Sequence, residues 1–93
     1  MTVFVVDSVP QRLRGMLARY CLEIRAGLFV GKIDARLREK LWGHIEHHVS
    51  KSGAAVVMWR ESSEQGFAMR SIGDDRRMPV FRDGLWMIDE MPF

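Results

Sequence analysis

One cysteine, one tyrosine and three prolines stand among 93 residues. A lone cysteine cannot close an internal disulfide. Set among apolar neighbours, Cys21 reads as a small packed side chain of a reducing compartment and not as a nucleophile. No stretch approaches the roughly twenty apolar residues of a membrane span, so no membrane contact is expected. The chain runs from Met1 straight into VFVV, without the basic region, long apolar run and small-residue cleavage site of a secretory signal, which sets the expectation of a cytoplasmic protein. No repeat, low-complexity tract or linker divides it, so residues 1–93 read as one domain. A chain this short buries only about 60 to 65% of its unfolded surface, which makes pairing with a second copy an economical source of stability.

What is present is charge, unevenly placed. Fourteen cations face twelve carboxylates, a net +2. Residues 10 to 32 hold Arg12, Arg14, Arg19, Arg25 and Lys32 against Glu23 alone, a net +4, and the remaining nine cations and eleven carboxylates leave −2. Eleven of the fourteen cations are arginine, whose planar fork grips phosphate oxygens two at a time. The bias points to nucleic acid, with a high-GC genome as the alternative source.

TVFVV reads as a buried first strand, closed by Asp7 and Ser8, either of which can cap a helix. Pro10 then falls in the first helical turn. Leu13, Met16, Leu17, Tyr20, Cys21 and Ile24 recur at three- and four-residue spacing, predicting a helix that ends before Gly27. With Arg12 at zero, that stripe spans about 40° to 180°, Arg14 lies near 200° and Arg19 near 340°, so the arginines flank the core stripe. A short strand, LFVG, precedes a second helix from about Ile33 to Val49, with Leu37, Leu41, Trp42, Ile45 and Val49 inward. AAVVMWR and GFAMRSI form a hairpin; GDDRRMP has the composition of a loop, and LWMI makes a last strand. Helices alternating with strands, then a run of strands, predict an α+β sandwich with two helices on one face of a mostly antiparallel sheet and an extra C-terminal strand.

Three words in order, VPQRLRG, LEIRAGLFVG and RRMPV followed by DGL, span essentially the whole chain. Together they resemble the CRISPR-associated adaptation protein that partners the spacer integrase, in its type I-E branch. The resemblance implies a ferredoxin-like fold, a symmetric homodimer between two integrase dimers, and a complex that holds a short DNA duplex for insertion into the CRISPR array. Matched by motif, Arg12 and Arg14 of RLR and Arg76 and Arg77 of RRMP are the implied duplex-backbone contacts. A ferredoxin-like chain needs two strands between its helices, whereas RAGLFVGKID leaves room for one, so the fourth core strand is expected from the later hairpin.

The resemblance also carries an alternative activity. Family members are described as metal-dependent nucleases acting on RNA or DNA through an aspartate at the end of the first strand, given by both subunits across the two-fold axis. Asp7 holds that place and is the candidate catalytic and Mg²⁺-binding residue, competing with a role as helix cap. The scaffold role does not require the ion. A third reading is a protein-interaction module with no nucleic-acid role.

The remaining motifs read more plainly. His44 and His48 of HIEHH lie four apart on one helical face, formally suited to a metal; third and fourth ligands are not evident nearby, so packing or an interface is expected. Trp42 and Trp59 read as packing and not base stacking. Leu85, Trp86, Met87 and Ile88 form an unbroken apolar run whose two faces both need cover. Residues 85–93, with Met91, Pro92 and Phe93, are therefore expected to engage a second subunit or the integrase.

Overall fold

The apolar run in TVFVVD forms the centre of the sheet. In the computed structural model, which describes residues 1–49, 52–73, 77–82 and 85–90, the last two ranges by backbone alone, strand β1 is Thr2–Asp7. Thr2, Phe4 and Val6 are buried on one face, and Val3 and Val5 take the other. β1 pairs antiparallel with β3 (Leu28–Gly31) and with β4 (Ala54–Arg60). β2 (Leu22–Arg25) lies outside β3, and β5 (Phe67–Ile72) outside β4, giving the order β2-β3-β1-β4-β5.

Two helices cover one face of this sheet. Helix α1 (Gln11–Ala18) buries Leu13 and Leu17, and α2 (Ala35–His48) buries Leu41, Trp42 and Ile45. They meet Phe4, Val6, Phe29, Ala55 and Val57 in one core. Asp34 starts α2 by accepting the Leu37 N–H at 2.8 Å, a cap worth about 1 kcal/mol. The chain order β1-α1-β2-β3-α2-β4 with sheet order 2-3-1-4 is the ferredoxin-like arrangement, extended by β5. β6 (Arg77–Arg82) and β7 (Leu85–Glu90) form a separate antiparallel pair.

Two strands, not one, lie between the helices, so the later hairpin is not needed to complete the core. The helix expected to reach Ile24 stops at Ala18: the N–H groups of Arg19 and Tyr20 bond three residues back, to Met16 and Leu17, and close the last turn tightly. Tyr20, Cys21 and Ile24 continue the helical spacing, but Leu22-Glu23-Ile24-Arg25 also alternates, and Gly27 decides between the two periods. At φ 81° it supplies the left-handed residue of a tight turn, and its carbonyl accepts the Val6 N–H at 2.8 Å. A side chain there would meet the Val6 carbonyl oxygen at 2.3 Å. Ile24, expected inward, is 54% exposed.

GDDRRMP is not wholly a loop either, because β6 starts at Arg77 and includes Pro79, opposite Ile88. In a two-stranded ribbon each strand is an edge, where a missing N–H need not break a ladder. The last strand is also longer than LWMI and runs to Glu90.

The sheet face away from the helices is apolar. Register aligns Leu22, Val30, Val3, Met58 and Met69 in one row across all five strands, with Leu28, Val5 and Val56 in a second. Leu22 is 69% exposed and Val5 40%.

Candidate nucleic-acid interface

Arg12 and Arg14 both lie in the first turn of α1, but their surroundings differ. The Arg14 Nη2 donates to Glu23 Oε2 at 3.0 Å, and the same oxygen accepts the Gly27 N–H at 2.9 Å. Glu23 thus ties the β2–β3 turn to α1 and occupies one cation of the RLR motif. Arg12 is exposed and makes no ion pair with any described residue. Arg76 lies outside the described residues. Arg77 opens β6, and its side chain is likewise outside what the structure describes, as are those of Leu85, Trp86, Met87 and Ile88 and the whole of Met91, Pro92 and Phe93.

Asp7 ends β1 and is exposed, within 3.5 Å of the Ser8 hydroxyl. It does not cap α1. The N-cap is Pro10, one position ahead of the expected helical turn, with no side chain bonded to the helix start. Ser8 holds φ 54°, a left-handed conformation uncommon outside glycine, and this kink turns the chain from β1 toward α1. By strand alternation Asp7 shares the apolar sheet face with Val3 and Val5.

Not every arginine is open to a ligand. The Arg38 guanidinium stacks 4.0 Å from the Trp59 ring centre, with Arg70 5.7 Å away, and both donate to the Glu39 carboxylate. Partial burial pushes the Glu39 carboxyl up, but the hydrogen bonds and charges of Arg38 and Arg70 outweigh it and hold the group below its ordinary range. Trp59 therefore packs against the core under two arginines, and Trp42 is 3% exposed, so neither is a stacking platform. Cys21 is buried against Gly31, and burial raises its thiol, as befits a packing residue.

Packing gathers a group of arginine, lysine and histidine side chains that the sequence spreads over 37 positions. A groove of about 600 Å³ between α1 and α2 is lined by Arg12, Arg19, Lys40, His44 and His48, with Tyr20 at its side. No carboxylate lines it among the described residues. The helical spacing holds a signal for it: Arg12 and Arg19 are seven apart, on α1 and at its C-terminal end, and Lys40, His44 and His48 four apart on α2, so these nitrogen-bearing side chains fall in a stripe on each. That the two stripes face one another is decided by tertiary packing. His44 and His48 ring centres are 6.4 Å apart, and no group of three or more His, Cys, Asp or Glu that could hold a metal occurs among the described residues.

No helix among the described residues is long and apolar enough to cross a membrane. The sequence matches the model of a family described as CRISPR-associated protein (Cas_Cas2CT1978), over residues 1–87. A match that takes in the whole βαββαβ frame, Asp7 and the RLR motif shows that the chain belongs to this Cas2-type family of CRISPR-associated proteins.

Proposed function

We propose that the protein is the homodimeric scaffold of a CRISPR spacer-acquisition complex of the type I-E branch, binding duplex DNA through its backbone and bridging two integrase dimers. The observation that carries this reading, beside family membership, is the separation of two surfaces on one small fold. One is the cationic end of the helical layer, where Arg12 stands without an acidic partner among the described residues. The other is the apolar sheet face, whose five-strand row of Leu22, Val30, Val3, Met58 and Met69 suits a second copy of the same face. Phosphate contacts carry no sequence information, which fits a protein that must accept any spacer.

Sedimentation of the protein and of Val5→Glu tests the dimer. The wild type should sediment as a dimer at micromolar concentration and the variant as a folded monomer. A wild-type monomer removes the scaffold. Duplex titration over a salt series tests the platform: log affinity should fall linearly with log salt by about 0.9 per phosphate neutralised, and Arg12→Ala should flatten the slope.

One observation favours a second reading, a metal-dependent endonuclease. Asp7 is exposed, has no capping task, and shares the sheet face on which a second copy would pack. Among the described residues of one chain, however, no cluster of ligands forms around Asp7, and a single carboxylate does not fit a Mg²⁺ site, which needs more oxygen donors than Asp7 supplies. A two-fold axis passing near Asp7 would be required to pair it with the other copy. Incubating labelled RNA and DNA with the protein, with Mg²⁺ or chelator, and analysing the products separates the two readings.

A further inference from the structure

All three histidines of this chain, His44, His47 and His48, fall within five residues at the C-terminal end of α2. Two of them, His44 and His48, turn into the groove between the helices, where Arg12 and Arg19 face them from α1 and its C-terminal end and Lys40 stands on α2 itself. The groove floor is apolar, from Leu13, Met16 and Leu41. We propose that this groove is a phosphate-binding track, in which His48, with His44 beside it, takes up a proton as a nucleic-acid backbone enters, so that duplex binding by this protein is proton-linked. The inference rests on the duplex-binding reading above and adds residues and a regulation that the RLR motif does not contain.

Phosphate is the ligand chemistry for three reasons. The permanent charges at the groove include two arginines, whose forks match phosphate oxygens. The track is continuous with Arg12, so a backbone that meets α1 can run on between the helices. The histidine rings stand 6.4 Å apart, close enough for both to meet one stretch of a phosphate backbone.

Proton linkage follows from the charges around His48. The groups that face it are Arg12 from α1, and His44 and His47 from its own helix; none is acidic. Partial burial first, then the positive charge of Arg12 and the two neighbouring imidazoles, hold His48 below the ordinary histidine value. A phosphodiester entering the groove reverses the sign of that field and favours the imidazolium, both of whose N–H groups then donate. The bound-state value therefore exceeds the free-state value. The added affinity is fully present below the free-state value and is lost as pH rises through the bound-state value. Its ceiling is about tenfold per pH unit for each proton taken up.

Because the chain has no other histidine, the test is direct. Anisotropy of a labelled duplex of arbitrary sequence is followed at fixed salt from about pH 8 to about pH 6, a range in which imidazole is the side chain that ordinarily titrates. The proteins are the full-length wild type, His44→Gln/His48→Gln, His47→Gln, Arg12→Ala and Arg19→Gln/Lys40→Gln, each checked by circular dichroism. Wild type should gain about tenfold or more in affinity on acidification, and the His44/His48 double variant should stay within about twofold. His47→Gln, which lies off the groove but faces His48, should keep most of the gain, reduced only by the loss of one of the charges that hold His48 down. Arg19→Gln/Lys40→Gln should bind more weakly at every pH, with a salt slope smaller by about 0.9 for each phosphate no longer neutralised, and keep its pH dependence.

An undiminished acid gain in the His44/His48 double variant overturns the inference; if Arg12→Ala weakens binding in the same series, the duplex platform itself survives. Absence of duplex binding at every pH overturns both. Polyglutamate binding with the same histidine-dependent gain would reassign the groove to an acidic peptide and remove the phosphate assignment.

Discussion

Glu23→Gln should make this protein bind duplex more tightly. The carboxylate holds Arg14 at 3.0 Å and accepts the Gly27 N–H at 2.9 Å through the same oxygen. Glutamine keeps a carbonyl oxygen for Gly27 and gives up the charge that competes with phosphate for Arg14. The two side chains are 36% and 33% exposed, so the pair is solvent-screened and worth about 0.2 to 1 kcal/mol. Releasing it before DNA arrives should therefore raise duplex affinity by roughly 1.4- to 5-fold, since RT is about 0.59 kcal/mol, and cost the free protein a similar small amount of stability. One more phosphate neutralised also steepens the salt slope by up to about 0.9. The assay is anisotropy of a labelled duplex across a salt series, with urea unfolding of both proteins in parallel. Arg14→Ala provides the converse: in the wild-type background it should cost less affinity than Arg12→Ala, because Arg14 must first leave Glu23. If Glu23→Gln leaves affinity and slope unchanged while Arg14→Ala still weakens binding, Arg14 reaches phosphate without leaving Glu23 and the reasoning fails. If Glu23→Gln and Arg14→Ala are both silent, Arg14 is structural only.

Gly27→Ala should lower the urea midpoint by the equivalent of about 1 to 3 kcal/mol, because the new methyl meets the Val6 carbonyl oxygen at 2.3 Å and φ is 81°; an unchanged midpoint would mean that the turn re-forms elsewhere. Asp7→Asn removes the charge a divalent ion requires without touching the start of α1, which has no side-chain cap to lose, and as a scaffold variant it should support spacer acquisition at near wild-type frequency. Loss of acquisition with folding and dimerisation intact favours the nuclease. Since β7 runs to Glu90, truncation of the tail should begin at Met91. The shortened protein should sediment as a folded dimer with weakened co-purification of the integrase and nearly unchanged duplex affinity, and undiminished integrase capture would show that the tail is not the docking surface.

Much of this molecule is legible from residue order. TVFVV and AAVVMW are short apolar runs rich in valine, GFAMRSI follows the latter across a turn-rich connection, and Leu41, Trp42 and Ile45 recur at helical spacing, so the strands β1, β4 and β5 and the buried stripe of α2 follow from local pattern. The charge excess of residues 10 to 32 and the family words are likewise read without coordinates. Where two periods fit the same residues, local pattern could not choose. Residues 20 to 25 satisfy both a helix and a strand, and the choice fell to the turn at Gly27 and the pairing of Leu22 with Val30 across the sheet. The same holds for Asp7, a candidate cap by sequence that the kink at Ser8 separates from α1. Charge was legible as an amount but not as an arrangement. Arg14 is paired because β2 lies beside α1, Arg38 and Arg70 are spent on Trp59 and Glu39, and Arg12 meets Lys40, His44 and His48 only where two helices pack. Hydrophobic period is a property of neighbours a few residues apart, so sequence determined the elements. Electrostatic environment is a property of neighbours in space, drawn here from residues nine apart at Arg14 and Glu23 and thirty-one apart at Glu39 and Arg70, so only the tertiary structure decided which of the arginines stand open to a ligand.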